Sequence, residues 1–249
     1  ETNTFGANWA NLAEYSIEDR IYELAFEGAK IARTCADLFT TPDKPRFVLG
    51  SLGPGTKLPS LGHTTYENLR DAYELASQGL IDGGVDALLI ETTQDLLQAK
   101  AAVNGGRRAI DNCERDIVLI AQVTVETTGT MLLGSEIGAA LNTLEPMGID
   151  LIGLNCATGP TEMSEHLRYL SKNAKIAISV MPNAGLPILG KKGAEYPLGP
   201  EELAIALETF VNDYGISLIG GCCGTTPAHI KLIADIAKDY KPRVSTATM

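Results

Sequence analysis

Asn155-Cys156 and the later run Gly220-Gly221-Cys222-Cys223-Gly224-Thr225-Thr226-Pro227 carry the residue types best suited to chemistry. Each cysteine group closes a short apolar run and precedes a helix-like segment. Thiolates are nucleophiles and soft metal ligands. Adjacent cysteines rarely bridge each other, because the small ring strains the peptide. Both can ligate one metal where the backbone bends sharply, and Gly221 and Gly224 permit that bend. Zinc takes thiolates in tetrahedral geometry, and three protein ligands with an open fourth place is its catalytic arrangement. Such a site binds and activates another thiol. Spacing alone leaves the alternative of two unrelated, buried and inert cysteine sites. A four-cysteine structural zinc site is disfavoured, because no fourth cysteine lies near a strand end. Cys35 and Cys113 fall in helix-like segments and read as packing residues.

Other polar groups stand at equivalent places. Glu91 follows Leu88-Leu89-Ile90 directly and is a carboxylate suited to an ammonium group; the competing reading is an exposed loop acid. Asn183, in Met181-Pro182-Asn183-Ala184-Gly185, offers a neutral oxygen or amide, or else simple turn chemistry. Ser51-Leu52-Gly53-Pro54-Gly55-Thr56 suits either a carboxylate held by backbone N–H groups or an ordinary tight loop. His63, His166 and His229 read as surface or capping residues. Glu201 and Glu202 read as helix N-terminal acids.

The elements that must position these groups form a repeated strand-then-helix unit. Strand-like runs are Phe47–Gly50, Ala87–Ile90, Ile117–Ala121, Leu151–Leu154, Ile176–Val180 and Ile216–Ile219. They are continuously apolar, as parallel strands covered on both faces should be. Amphipathic stretches lie between them, near residues 17–38, 65–82, 95–112, 136–147, 161–171, 200–214 and 227–240. Pro160-Thr161-Glu162 and Gly199-Pro200-Glu201-Glu202 are helix starts, and Gly83-Gly84 and Gly148 are stops. The polar residues cluster after many different strands, which is the pattern of an α/β fold of the TIM-type (β/α)8 barrel class. An open doubly wound sheet would gather them at one switch point. No GxGxxG follows the first strand and no P-loop is present.

Glu1-Thr2-Asn3-Thr4-Phe5 resembles the strand end Ile90-Glu91-Thr92-Thr93, which brings the strand count to seven. The expectation is a barrel lacking its first strand and helix. Residues 1–243 would be one barrel domain and 244–249 the start of a linker.

The 249 residues carry a net charge of −11 and 45% hydrophobic side chains. That acidity argues against nucleic acid as a partner. No apolar run approaches the roughly 18–20 residues of a membrane span. Five cysteines are odd in number and too sparse for a disulfide scaffold, so a reducing, cytoplasmic setting is expected.

At these same residues the chain resembles the homocysteine S-methyltransferase family. The similar segments include Glu1-Thr2-Asn3-Thr4-Phe5, Gly50-Ser51-Leu52-Gly53-Pro54, Ile90-Glu91-Thr92, Gln98-Ala99-Lys100-Ala101-Ala102, Leu154-Asn155-Cys156-Ala157-Thr158-Gly159-Pro160, Pro182-Asn183-Ala184-Gly185-Leu186-Pro187 and the Gly-Gly-Cys-Cys-Gly turn. The resemblance is greatest to the homocysteine-binding domain of cobalamin-dependent methionine synthases. It implies a (β/α)8 barrel with zinc on Cys156, Cys222 and Cys223. It implies that Glu91 meets the amino group of homocysteine, with Ser51 and Asn183 also at the substrate, and Asn183 as a fourth zinc ligand when substrate is absent. It implies methyl transfer to the homocysteine thiol, giving methionine. Methylcobalamin would sit on a separate domain or protein, and folate-binding and corrinoid domains are implied on the same parent chain. Within the family the alternative is a stand-alone enzyme using betaine or S-methylmethionine. Outside it, the alternatives are a non-catalytic zinc- or thiol-binding module and a dithiol redox enzyme; the absence of CxxC spacing counts against the last.

Overall fold

A computed structural model describes residues 1–191 and 193–240. The expected linker, 244–249, and the last residues of the expected domain lie outside the described residues. Among the described residues the α-helices are α1 (Trp9–Ala13), α2 (Ile21–Phe39), α3 (Tyr66–Asp82), α4 (Leu96–Asp111), α5 (Ile137–Leu144), α6 (Pro160–Asn173), α7 (Pro200–Tyr214) and α8 (Pro227–Ile236). The strands are β1 (Leu49–Leu52), β2 (Ala87–Thr93), β3 (Val118–Val123), β4 (Leu151–Asn155), β5 (Ala177–Met181), β6 (Ile188–Gly190), β7 (Gly193–Glu195) and β8 (Leu218–Ile219). Six of them form one sheet in the order β1-β2-β3-β4-β5-β8, and β6 and β7 form a separate antiparallel hairpin.

The chain divides into two compact units. The first comprises Glu1–Ala121 with Met147–Ile149. Here β1 and β2 run parallel, with Ser51 opposite Leu89 and Leu52 opposite Ile90. Leu88, Leu89 and Ile90 are fully buried, as an uninterrupted apolar run requires. Burying each such side chain is worth about 1.5–3 kcal/mol. Leu69, Tyr73, Ala76, Ser77 and Leu80 form the buried stripe of α3, at the spacing of one helix face. Thr65 caps α3 by accepting the Asn68 N–H at 3.2 Å, and Asp95 caps α4 by accepting the Leu97 N–H at 2.8 Å. Asp95 also takes the N–H and the hydroxyl of Ser60 at 2.9 and 2.7 Å, tying the loop after β1 to α4.

The second unit comprises Gln122–Pro146 and Asp150–Met249. Its strands β4 and β5 are parallel, with Asn155 opposite Met181, and β5 pairs in parallel with β8. Ile152, Leu154, Leu167 and Leu170 are fully buried. The helix starts expected from proline and acids are present. Pro160 and Pro200 open α6 and α7, while Glu162 and Glu202 accept the Gly159 and Gly199 N–H groups at 3.1 and 2.8 Å.

Two features depart from the sequence reading. Glu1–Phe5 form no strand; Thr2 instead donates one backbone hydrogen bond to the Leu49 carbonyl at 2.9 Å. The first apolar run was expected at Phe47–Gly50, but β1 spans Leu49–Leu52, with an exposed Phe47 and a buried Val48 ahead of it.

Candidate metal centre and acidic cluster

Cys156 follows the last residue of β4. Its N–H donates to the Met181 carbonyl at 3.1 Å, so it stays tied to β5. Cys156 and Ala157 then have φ of 56° and 58°, two successive left-handed residues without glycine. That costs of order 1–3 kcal/mol per residue and occurs where the surrounding structure fixes it. The turn throws the Cys156 side chain off the strand.

Cys222 and Cys223 lie on the turn between β8 and α8. The Cys222 N–H donates to the Pro182 carbonyl at 2.9 Å, and the Cys223 carbonyl accepts from the Ala184 N–H at 2.9 Å. Gly224, with φ of 80°, makes the bend; a Cβ there would stand 2.4 Å from the Tyr196 side chain. Thr225 Oγ1 donates to the Cys222 carbonyl at 2.7 Å. His229 fixes the start of α8: its Nδ1 accepts the Thr226 N–H at 3.1 Å and its Nε2 lies 3.0 Å from the Leu198 carbonyl. The capping role expected for this histidine is therefore its role here.

The three sulfurs lie within 4.8 Å of one another, with Cys156 to Cys223 at 3.8 Å and Cys222 to Cys223 at 4.0 Å. Tetrahedral zinc with Zn–S bonds of about 2.3 Å sets its sulfurs about 3.8 Å apart. The cluster therefore fits a thiophilic dication in size and donor type. Asn183 braces it by touching both the Cys156 turn and the Cys222-Cys223 turn. Its Oδ1 accepts the Cys223 N–H at 3.1 Å, its own N–H donates to the Thr158 carbonyl at 3.1 Å, and its side chain hydrogen-bonds Cys156.

Electrostatics point the same way. The Cys156 thiol is lowered to about 6, chiefly by the hydrogen bond from Cys222, then by the Ala157 N–H, Cys223 and Asn183, against the opposing effect of burial. The Cys222 thiol is pushed well up, first by that hydrogen bond and then by burial and the neighbouring sulfur charges. Burial and the charge on Cys156 raise Cys223. Of the three sulfurs Cys156 is thus the readiest to ionise, and its charge opposes ionisation of the other two. Tyr196 hydrogen-bonds Cys223 and has its own hydroxyl raised by that bond. Sequence reasoning missed Tyr196, because nothing local marks a tyrosine just beyond an exposed hairpin.

The remaining expected residues meet in the first unit. Glu91, 6% exposed, accepts the Ser51 hydroxyl at 2.5 Å. Thr92, the next residue, has φ of 58°, so β2 carries a left-handed residue immediately after its carboxylate just as β4 does after Asn155. Ser51 gives its backbone N–H to Thr2 Oγ1 at 2.9 Å. The loop beyond is held by Tyr73, whose hydroxyl donates to the Gly53 carbonyl at 3.0 Å, and by Gln98, whose Nε2 donates to the Pro54 carbonyl at 2.6 Å. Cys35 and Cys113, expected as packing residues, are free and stand outside the sulfur cluster, but Cys35 is exposed and Cys113 only half-buried.

The chain belongs to the homocysteine S-methyltransferase family, whose sequence profile matches residues 1–237. Among proteins, it is 64% identical over 241 residues to methionine synthase of Mycobacterium tuberculosis (strain ATCC 25618 / H37Rv), covering 97% of this chain and 20% of that protein. It is 65% identical over 234 residues to methionine synthase of Mycobacterium leprae (strain TN), covering 94% of this chain and 19% of that protein. The chain thus spans about a fifth of the length of these relatives. Among solved structures, it matches the metallated homocysteine methyltransferase MmuM from Escherichia coli with a TM-score of 0.73 at 20% identity, covering 94% of this chain and 77% of that one. That likeness establishes the α/β fold of the TIM-barrel class. Among the described residues, no helix is long and apolar enough to cross a membrane.

Proposed function

We propose that the chain is the homocysteine-activating domain of a cobalamin-dependent methionine synthase, with residues 1–243 as the domain. The observation that carries this reading is the sulfur triangle, whose 3.8 and 4.0 Å edges match a tetrahedral zinc–thiolate site. Cys156, Cys222 and Cys223 would hold zinc, which when bound supplies a Lewis acid that keeps a further thiol deprotonated at neutral pH. Asn183 would be the neutral fourth donor in the absence of substrate. Its oxygen already takes the Cys223 N–H and has a second lone pair.

The residues of this chain have separate tasks. The three cysteine sulfurs supply negative charge, which keeps an incoming homocysteine sulfur electron-rich. Glu91 takes the substrate ammonium group, and the N–H groups of the loop around Gly53 and Gly55 serve its carboxylate. The homocysteine sulfur gives a lone pair to form the new S–C bond. The thiol proton leaves to solvent, and the electron pair of the broken bond stays with the methyl donor. The donor we infer is methylcobalamin on a separate domain. Folate-binding and corrinoid domains on the same parent chain are supported by the share of the methionine synthases that this chain spans.

The test compares zinc-loaded with chelator-treated protein. Homocysteine binding is measured by calorimetry, and demethylation of free methylcobalamin by absorbance. Binding and demethylation should both require zinc. Equal homocysteine affinity with and without zinc would sink the reading. Turnover with S-methylmethionine but not methylcobalamin would reassign the donor, and zinc-dependent binding without turnover from either would leave only a binding module.

A further inference from the structure

Ser51 is engaged at each of its polar atoms. Its N–H donates to Thr2 Oγ1 at 2.9 Å, its carbonyl accepts from Thr4 Oγ1 at 2.7 Å, and its hydroxyl donates to Glu91 Oε1 at 2.5 Å. Thr2 and Thr4 hydroxyl oxygens lie 2.7 Å apart. A hydroxyl has one hydrogen to give. That of Thr4 goes to the Ser51 carbonyl, so the bond between the threonines runs from Thr2 to Thr4. The result is a closed circuit with one direction: Ser51 N–H to Thr2, Thr2 to Thr4, Thr4 back to the Ser51 carbonyl. All four residues are buried, at 5% exposure for Thr2, 4% for Thr4, 1% for Ser51 and 6% for Glu91.

The backbone explains why the Ser51 hydroxyl, which lies outside the circuit, reaches Glu91. Ser51 is opposite Leu89 in the parallel pair, and side chains two apart on a strand share a face. Ser51, Leu89 and Glu91 therefore lie on one face, with the hydroxyl of β1 reaching the carboxylate of β2. A short O–H to carboxylate bond is of the charge-assisted kind, roughly twice as strong as a neutral one. With the main chain of Ser51 clamped at both its N–H and its carbonyl by threonines, the base of its side chain is held beside Glu91.

We propose that Ser51 is a positioning residue that, clamped by Thr2 and Thr4, fixes the orientation of Glu91 for the ammonium group of homocysteine. This rests on the reading of Glu91 as the ammonium partner. It moves Ser51 from contact with substrate to control of the residue that makes contact. A carboxylate held in its binding orientation before the ligand arrives loses less freedom on binding than one that must be ordered then.

The test uses zinc-loaded full-length protein and two ligands measured by calorimetry: homocysteine, and the same thiol acid without its amino group. Ser51→Ala should weaken homocysteine about tenfold, the scale of one hydrogen bond to a charged group, and des-amino homocysteine less than about twofold. Thr4→Val keeps the Ser51 hydroxyl but removes one clamp, and should give a smaller loss, about threefold, with the same selectivity. If Ser51→Ala does not fold, Thr4→Val carries the test. Equal losses for both ligands, or no loss, overturn the positioning role. Glu91→Gln separates the two ideas. It should erase the preference for homocysteine over the des-amino ligand. Preference retained in Glu91→Gln defeats the ammonium reading itself. Preference lost there but kept in Ser51→Ala defeats only the role of Ser51.

Discussion

Asn183 Oδ1 accepts the backbone N–H of Cys223 at 3.1 Å, so an amide on the loop after β5 sets the attitude of a sulfur on the turn after β8. The same side chain reaches Cys156. Partners of this kind orient metal ligands and typically change metal affinity by 10–100-fold when removed.

Asn183→Ala should therefore lower zinc affinity by about 10–100-fold, measured by competition with a chromophoric chelator. Asn183→Asp retains an oxygen for the Cys223 N–H but loses the amide hydrogens. It should keep more zinc affinity than Asn183→Ala. Identical affinities for the wild type and both variants would mean that Asn183 is only a turn residue.

Removing a thiolate should cost more than removing the neutral Asn183 amide. Cys222→Ser should lower zinc affinity by more than about a hundredfold, beyond the range for supporting residues. Cys35→Ser, on the exposed part of α2, should leave one zinc per chain. Metal analysis after dialysis reads both. Full zinc content in Cys222→Ser would dismantle the three-thiolate centre.

In metal-free protein the three thiols should titrate apart. Cys156 is lowered to about 6, so its thiolate is the form present above that pH and is lost as pH falls through it. Iodoacetamide labelling of Cys156, followed by peptide mass spectrometry, should rise to a plateau across a midpoint near 6. Cys222 is raised, so its labelling should lag even at pH 9. Cys222→Ala deletes the leading cause of the Cys156 shift and should move its midpoint upward. A Cys156 midpoint near the ordinary thiol value would contradict that order of ionisation.

Gly224→Ala meets two obstacles, a φ of 80° and a Cβ position 2.4 Å from the Tyr196 side chain. Gly129 has a φ of 85° with nothing within 4 Å. Gly129→Ala should cost about 1 kcal/mol, from backbone strain alone, and Gly224→Ala about 2–4 kcal/mol. Urea denaturation of each variant gives the difference. Equal costs would show that Tyr196 moves aside freely.

Much of this was legible before any coordinates. Leu88-Leu89-Ile90 and Ile152-Leu154 announced buried strands because parallel strands under helices need no polar alternation. The cysteines were legible because a thiol at a strand end has few structural reasons to be there. What stayed hidden was either short or set by register. The α1 helix spans only Trp9–Ala13 and is started by Asn8, whose side chain accepts the Asn11 N–H. The β6–β7 hairpin exposes Ile188 at 53% and Leu189 at 95%, so no burial pattern marks it. Ser51 was read by sequence as a group at the substrate. That its hydroxyl is spent on Glu91 follows from which residues face each other across β1 and β2, and no local pattern encodes that pairing.

The first and last sulfurs of the triangle are separated by 67 positions along the chain. Domains form from the N-terminus onward during synthesis, at about 5–20 residues per second. For several seconds on that scale, β4 and its Cys156 exist without Cys222 or Cys223. During that interval the nascent chain holds only one sulfur of the triangle. Metal choice is thus deferred to the last stage of assembly, when β8 docks beside β5 and delivers two ligands at once. Whatever ion is available once β8 has docked, rather than to the half-made domain, is the one this centre samples.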